Sequence, residues 1–164
     1  MKTKFIRFPV IVAWTKNGSC TFIPFFMIFI LLLSFARNGF SQSGYDRDYQ
    51  TALDAFNTGK YDRALVRFQA LLSRSKDDAL ADNAQYWIGE CYYGMKDYNK
   101  ALIEFEKVFT FPKSNKKDDA QLKIGLCYIR LDDKENAQRE LTRLLSKFPD
   151  SEFTTLGRKL LREL

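Results

Sequence analysis

The sequence has no histidine among its 164 residues, so chemistry that uses imidazole as a base, a nucleophile or a metal ligand is excluded. Glycine and proline are also scarce, at 8 and 4 residues, which excludes a collagen-like or linker-like chain. There is no glycine-rich phosphate loop, G-x-S-x-G or H-E-x-x-H motif. We therefore expect a protein that is not an enzyme and that uses no cofactor and no metal.

The net charge of +6 is concentrated at the N-terminus. Residues 1–41 hold five basic residues and no acidic ones, whereas the rest of the chain holds 21 basic and 20 acidic residues. Such a nearly neutral body has little sequence-independent attraction for phosphate. Nucleic acid is therefore not an expected partner.

Residues 22–36 form an uncharged apolar run that follows basic residues and precedes a small, polar stretch. This order is typical of a secretory signal, and the run is shorter than the roughly 20 residues that span a bilayer as a helix. We predict that residues 1–41 are either a signal peptide cleaved near Ser41 or an uncleaved N-terminal membrane anchor. Both alternatives predict export of the body, which would meet a membrane only through an uncleaved leader. Lipid anchoring is not expected, because Cys20 precedes the run.

Residues 42–164 contain a pattern that recurs after 37 and then 36 residues. A small residue in each first helix is predicted to lie opposite an alanine in the second helix. The predicted pairs are Ala52 with Ala64, Gly89 with Ala101, and Gly125 with Ala137. Two amphipathic helices per unit, joined by a short turn, predict three helical hairpins over about 45–78, 82–115 and 118–150. A last helix, capped by Ser151 and covering residues 152–164, is expected to close the array.

The two later units match the form of the tetratricopeptide repeat. The second has Gly89, Tyr92, Ala101 and Phe105 in place, and the third has the same pattern with a leucine at the last position. The tryptophan of the motif is replaced by glutamine in both units, at Gln85 and Gln121. The predicted fold class is thus all-α: a tetratricopeptide-repeat solenoid of three helical hairpins plus a C-terminal capping helix.

In such a solenoid the first helix of each hairpin lines the concave side, so its face away from the partner helix predicts a peptide-binding groove. The candidate groove residues are Tyr49, Leu53, Phe56, Asn83, Tyr86, Glu90, Tyr93, Leu122, Leu126, Ile129 and Arg130. Aromatic side chains give a large contact area at little entropic cost. The alternative is that these residues broaden the core or meet the C-terminal helix as it folds back.

Two features that resemble chemical sites are predicted to be structural. Cys91 and Cys127 occupy the same position in their repeats, where a small buried residue is needed, so we expect two buried thiols; the alternatives are a disulfide or a reactive site. The acid pairs at 77–78, 118–119 and 132–133 fall at helix starts or turns, where carboxylates accept backbone N–H bonds.

The stretch 84–93 (AQYWIGECYY), with Asp97, Tyr98 and Phe105 downstream, resembles the C-terminal domain of the YbgF/CpoB family. That resemblance implies a periplasmic protein of the Tol–Pal system. It also implies a TolA-like or peptidoglycan-synthesis partner and a link between cell division and peptidoglycan synthesis. The family's N-terminal coiled coil has no counterpart between the leader and the first repeat, so trimerisation is not carried over.

Two hypotheses follow. The first is an exported, non-enzymatic adaptor that binds a peptide segment of an envelope protein. The alternative is a structural or outer-membrane assembly protein, similar to BamD, that self-associates or is membrane tethered.

Overall fold

The structure is a computed structural model that describes residues 44–74 and 78–164. The chain divides after Tyr45 into two units, and the second, Asp46–Leu164, contains the three hairpins and the last helix. The predicted signal or anchor lies outside the described residues, as does the turn at 75–77. No helix in the described ranges has the length and apolar character needed to span a bilayer.

All regular structure in the described ranges is helical, as predicted. The α-helices are α1 (residues 44–57), α2 (Tyr61–Arg74), α3 (Asp78–Gly94), α4 (Tyr98–Lys107), α5 (Lys117–Arg130), α6 (Lys134–Lys147) and α7 (Thr154–Glu163). A 3-10 turn, Val108–Thr110, extends α4. From α2 onward each helix packs against the next, and the α1 rings of Tyr49 and Phe56 contact Phe68 and Tyr61 of α2. The predicted solenoid of helical hairpins is confirmed.

The core repeats with the period of the sequence. Each second helix buries an alanine, then a large apolar residue, then a third apolar residue one turn later. The three sets are Ala64, Phe68 and Leu71 in α2; Ala101, Phe105 and Val108 in α4 and its extension; and Ala137, Leu141 and Leu144 in α6. All nine are at most 1% exposed, which confirms the register of the three units.

The glycines of the first helices make room for the large side chains of the second helices. A Cβ atom added to Gly89 would lie 2.6 Å from Cε1 of Phe105, and one added to Gly125 would lie 2.8 Å from Cδ2 of Leu141. The atoms nearest to each of these glycines belong to the large side chain rather than to the alanine of the predicted pair. The close approach is between a helix backbone and a bulky side chain, and the alanines fill the core beside it.

Each hairpin turn contains one residue with left-handed backbone angles. These residues are Gly59, Lys96 and Asp132, with φ of 73°, 64° and 58°, and they occupy equivalent positions in the three repeats. The following helices α4 and α6 are capped by Asp97 and Asp133, whose carboxylates accept backbone N–H bonds. Only the first turn has glycine where this conformation favours it.

The glutamines that replace the motif's tryptophan have a structural role. Gln85 Nε2 donates to the backbone oxygen (3.0 Å) and the carboxylate (2.7 Å) of Glu104. Gln121 Nε2 donates in the same way to Glu140, at 3.2 and 3.0 Å. Each buried amide thereby joins the two helices of its hairpin. A polar bridge replaces the indole at this position in both repeats.

The C-terminal helix begins later than expected. It starts at Thr154 rather than at residue 152, and Phe153, which precedes it, makes no side-chain capping bond. The Ser151 hydroxyl instead accepts from the Phe153 N–H in the preceding turn and donates to Asp118 of α5 at 2.7 Å. Ser151 therefore ties the last helix to the third repeat rather than capping it.

Candidate functional site

The structure buries two of the predicted groove residues. Tyr86 is 8% exposed and packs with Phe105, and Leu122 is 4% exposed beside Leu141. Burial raises the pKa of the Tyr86 hydroxyl, with the carboxylate of Glu90 as a smaller cause. These two residues form part of the core, which is the alternative considered from the sequence.

The apolar residues predicted to line the groove on the third unit lie at or beside an apolar cluster that the C-terminal segment shares. Leu126 and Ile129 pack against the same apolar cluster, around Leu122, Leu141 and Leu144, as residues of the C-terminal segment do. Those C-terminal residues are Phe153, Leu160, Leu161 and Leu164. The last helix thus shares the apolar cluster on this part of α5. The predicted surface is corrected to exclude the buried Leu122, whereas Leu126 and Ile129 stay partly exposed beside the cluster.

An aromatic cluster joins the first two repeats. The Trp87 ring stacks on Phe68 with centroids 5.8 Å apart and planes at 10°, and it meets Phe56 edge-on at 5.0 Å. Its indole N–H donates to the Tyr49 hydroxyl at 2.7 Å. Tyr49, Phe56 and Trp87 are partly exposed, as is Leu53 on the same helix α1. This cluster offers a rigid apolar surface with its indole N–H already bonded.

A polar bridge joins α3 to α5. Lys123 Nζ donates to Oε2 of Glu90 at 2.7 Å and lies the same distance from Oε1. The Glu90 and Lys123 side chains are 12% and 22% exposed. Burial raises the pKa of the Glu90 carboxyl, and the Lys123 ammonium opposes that shift. The pair therefore fixes the spacing of the two first helices more than it offers a free charge.

Tyr93 and Arg130 lie next to the Glu90–Lys123 pair. The Lys123 ammonium lies 5.1 Å from the centroid of the Tyr93 ring, and the Tyr93 hydroxyl accepts from Arg130 Nε at 3.2 Å. Arg130 is exposed, and its contact with Tyr93 uses Nε rather than the terminal nitrogens. This arrangement holds a guanidinium in place while leaving it able to bind a carboxylate. Asn83 is half-buried at the start of α3, and its backbone N–H donates to Asp82.

Trp87 and Lys123 belong to this surface but were not among the predicted residues. They occupy equivalent positions in the second and third repeats, each one residue after a core position held by Tyr86 or Leu122. The repeat alignment contains that signal. The side of each of these two helices that meets the preceding repeat lies one residue beyond the position assigned from helical spacing alone.

Cys91 and Cys127 are free and buried, as predicted. Burial raises the pKa of both thiols to about 12, so little thiolate is present at neutral pH. Among the described residues no group of three potential ligands is placed to hold a metal ion. Asp118 and Asp119 lie in the first turn of α5, and Asp133 caps α6, in the structural positions expected of them.

Solved structures show the same fold at low sequence identity. The type III secretion chaperone SycD of Yersinia enterocolitica, in complex with a peptide of the translocator YopD, has 19% identity and a TM-score of 0.64, covering 74% of this chain and 92% of its own. PcrH from Pseudomonas aeruginosa has 16% identity and a TM-score of 0.64, covering 74% and 91%. The TPR2AB domain of yeast Sti1, in a complex with pHSP90, has 15% identity and a TM-score of 0.64, covering 74% of this chain and 48% of that one.

Family models give the same assignment from the sequence. No curated protein matches the chain. Models described as tetratricopeptide repeat match residues 49–115 and 119–151, which together are more than half of the chain. The hairpins, the repeated core and these matches agree, and the chain belongs to the tetratricopeptide-repeat family.

Proposed function

We propose that the protein is an exported, non-enzymatic adaptor whose first helices bind a peptide segment of an envelope protein. The observation that carries the proposal is the partly exposed surface on the first helices α1, α3 and α5, which present a rigid aromatic cluster and a positioned guanidinium. Solved structures of the same fold include SycD in complex with a YopD peptide and Sti1 TPR2AB in a complex with pHSP90. Binding a polypeptide is the activity that these features have in common.

The surface residues define the chemistry of the bound segment. Leu53, Phe56 and Trp87 favour an apolar or aromatic side chain of the partner. The rings of Phe56 and Trp87 are already packed against each other, so they lose little rotamer entropy on binding. Arg130, held by Tyr93, favours an acidic residue or a terminal carboxylate. The partner segment is therefore expected to carry an apolar anchor and a negative charge.

Export and cellular role are further parts of the proposal. The leader over residues 1–41 supports a periplasmic location, either as a released protein or anchored to the inner membrane. The resemblance to the YbgF/CpoB family supports a TolA-like or peptidoglycan-synthesis partner, and a part in coordinating division with peptidoglycan synthesis. An alkaline-phosphatase fusion after residue 60 tests export, since the reporter is active only outside the cytoplasm.

Photo-crosslinking in the source cell identifies the partner and tests the surface together. A benzophenone amino acid replaces Phe56 in one strain and Ile103, an exposed residue of α4, in a control strain. We expect one envelope protein to be captured from position 56 and not from position 103. Capture of only further copies of the chain, accompanied by dimers in sedimentation, would instead establish the self-associating alternative.

The captured segment then permits a quantitative test. Arg130→Glu is expected to weaken its binding by roughly ten-fold, because the positioned guanidinium is replaced by a repelling charge. Lys60→Glu makes the same charge change at another exposed position and is expected to leave the affinity unchanged. Equal affinities of the two variants in isothermal titration would remove Arg130 from the site. Tyr86→Ala is not a suitable probe, because Tyr86 lies in the core.

A further inference from the structure

A cleft lies on the side of the second helices, between α4 and α6 and over α5. Its volume is about 530 Å³, within the range of roughly 300–1,000 Å³ that is typical of ligand sites. None of the predicted groove residues lines it. The cleft is therefore separate from the surface of the proposed function and needs its own explanation.

The apolar part of the cleft is built from three residues. Ile124 of α5 is buried, and Phe109 and Phe148, at the ends of the α4 and α6 segments, also line the space. Phe109 is 37% exposed, which is unusual for a phenylalanine in a core but common at a binding surface. Two rings and a branched aliphatic side chain can enclose one large apolar side chain of a ligand.

The buried carboxylate in the cleft is already satisfied. Glu140 accepts from the Gln121 amide at 3.0 Å and pairs with Arg139 at 3.1 Å and Arg143 at 3.0 Å. Its side chain is only 7% exposed, so the two guanidinium groups offset its charge. Gln121, Glu140 and Arg143 therefore shape the cleft and require no ligand to complete them.

Two other charged residues of the cleft have no such partners. Glu106, on the α4 wall, and Lys147, on the α6 wall, are exposed and form no ion pair within residues 44–74 and 78–164. They carry opposite charges on opposite walls, with the apolar residues of the cleft beside them. A ligand that pairs with both carries a cation and an anion on either side of an apolar group.

We infer that this cleft binds a short polypeptide segment in which a large apolar side chain is flanked by one basic and one acidic residue. The apolar side chain lies between Phe109 and Phe148, the basic group pairs with Glu106, and the acidic group pairs with Lys147. A phosphate ligand fits poorly, because Arg143 is already paired and Glu106 repels it. An acyl chain would use the apolar walls and leave both charges unused.

A small fluorinated peptide tests the inference on the full chain, held in a non-ionic detergent because of its apolar residues 22–36. The probe is the capped tripeptide lysyl-(4-fluorophenylalanyl)-glutamate, and the matched control has glutamine at both charged positions. Fluorine NMR line broadening gives the affinity, which for so small a probe is expected in roughly the millimolar range. The charged probe is expected to bind roughly ten-fold more tightly than the control.

Charge-reversal variants separate the proposed site from non-specific uptake. Glu106→Lys and Lys147→Glu are each expected to weaken probe binding roughly five-fold, and the double variant is expected to restore it, because the peptide can then bind in the opposite direction. Lys60→Glu, outside the cleft, is expected to change nothing. Equal affinity for the charged and uncharged probes would overturn the inference in favour of an acyl-like ligand. The inference would also be overturned if the double variant failed to restore probe affinity. It would be overturned likewise if the chain formed dimers that Phe109→Ala dissociates, since the cleft would then bind a second copy.

Discussion

Replacing the glycines of the first helices by alanine measures how tightly each helix approaches its neighbour. In Gly89→Ala the new Cβ would lie 2.6 and 2.7 Å from two atoms of the Phe105 ring, which is fully buried and cannot turn away. Such overpacking costs about 1–3 kcal/mol. The higher helix propensity of alanine returns about 1 kcal/mol. Because the contact is so short, we expect a net loss of about 1–2 kcal/mol in the free energy of unfolding.

Two other glycines allow the stability change of Gly89→Ala to be compared with changes at less crowded positions of the same chain. Gly125→Ala would meet the branched end of Leu141 at 2.8 Å, and that end can change rotamer more easily than a ring, so its loss is expected to be smaller. Gly157→Ala in α7 would meet Leu144 at 3.2 Å. For this variant we expect no loss, or a gain of up to about 1 kcal/mol from helix propensity.

Guanidinium unfolding of the full chain, followed by circular dichroism, gives the three free energies under identical conditions. The double variant Gly89→Ala/Phe105→Leu is expected to lose less free energy of unfolding than the two single variants lose together. The difference is expected to be at least about 0.5 kcal/mol, because the smaller side chain relieves the contact. Gly89→Leu is expected to prevent folding of the array. Stabilisation by Gly89→Ala, as at an open helix position, would refute the close approach on which the hairpin packing depends.

Three further predictions concern single positions. Lys96→Gly is expected to raise the free energy of unfolding by about 1 kcal/mol in denaturant titrations, because Lys96 has left-handed backbone angles, whereas Lys96→Ala is expected to give no gain. Gln121→Ala is expected to lower the free energy of unfolding by roughly 1–3 kcal/mol, because the buried Glu140 loses the amide that donates to it. An unchanged unfolding midpoint would contradict a stabilising Gln121–Glu140 bridge. Cys91 and Cys127, with thiol pKa values of about 12, are expected to resist alkylation at pH 8 until denaturant is added, as read by peptide mapping; rapid labelling of the folded chain would show that they are accessible.

The repeat made most of the fold predictable from the sequence. Positions that recur at offsets of 37 and 36 residues must have the same environment in each unit, so Ala64, Ala101 and Ala137 identified the core of all the second helices. Helix ends were less predictable. Ser151 is followed by a suitable helix sequence, yet its hydroxyl bonds to Asp118, a contact 33 residues away that no local pattern reveals.

The surface was harder to predict because helical spacing does not distinguish solvent from a neighbouring helix. Leu126 and Ile129 have the spacing of a groove, but the apolar cluster that they contact also includes residues of the C-terminal helix. Trp87 and Lys123 were missed because each contributes to a contact between repeats, with Tyr49 and Glu90 respectively. Only the relative placement of successive hairpins shows which side of a first helix remains open.

The cleft between α4 and α6 was not predictable from local pattern for a related reason. Phe109 and Phe148 are separated by 39 residues and have the apolar character of core positions, so the sequence gives no sign that they border an open space. Phe109 lies in the 3-10 helix that continues α4 from Val108, and Phe148 directly follows the end of α6 at Lys147.

Hydroxyl-radical footprinting of the full chain, with and without the partner captured at position 56, tests the central claim most directly. It reports the solvent access of individual side chains, so it distinguishes the two sides of the hairpins. Binding is predicted to protect Leu53, Phe56 and Tyr93 of the first helices and to leave Val66 and Ile103 of the second helices unchanged. Protection of Val66 and Ile103 without protection of the first helices would contradict a binding surface on α1, α3 and α5.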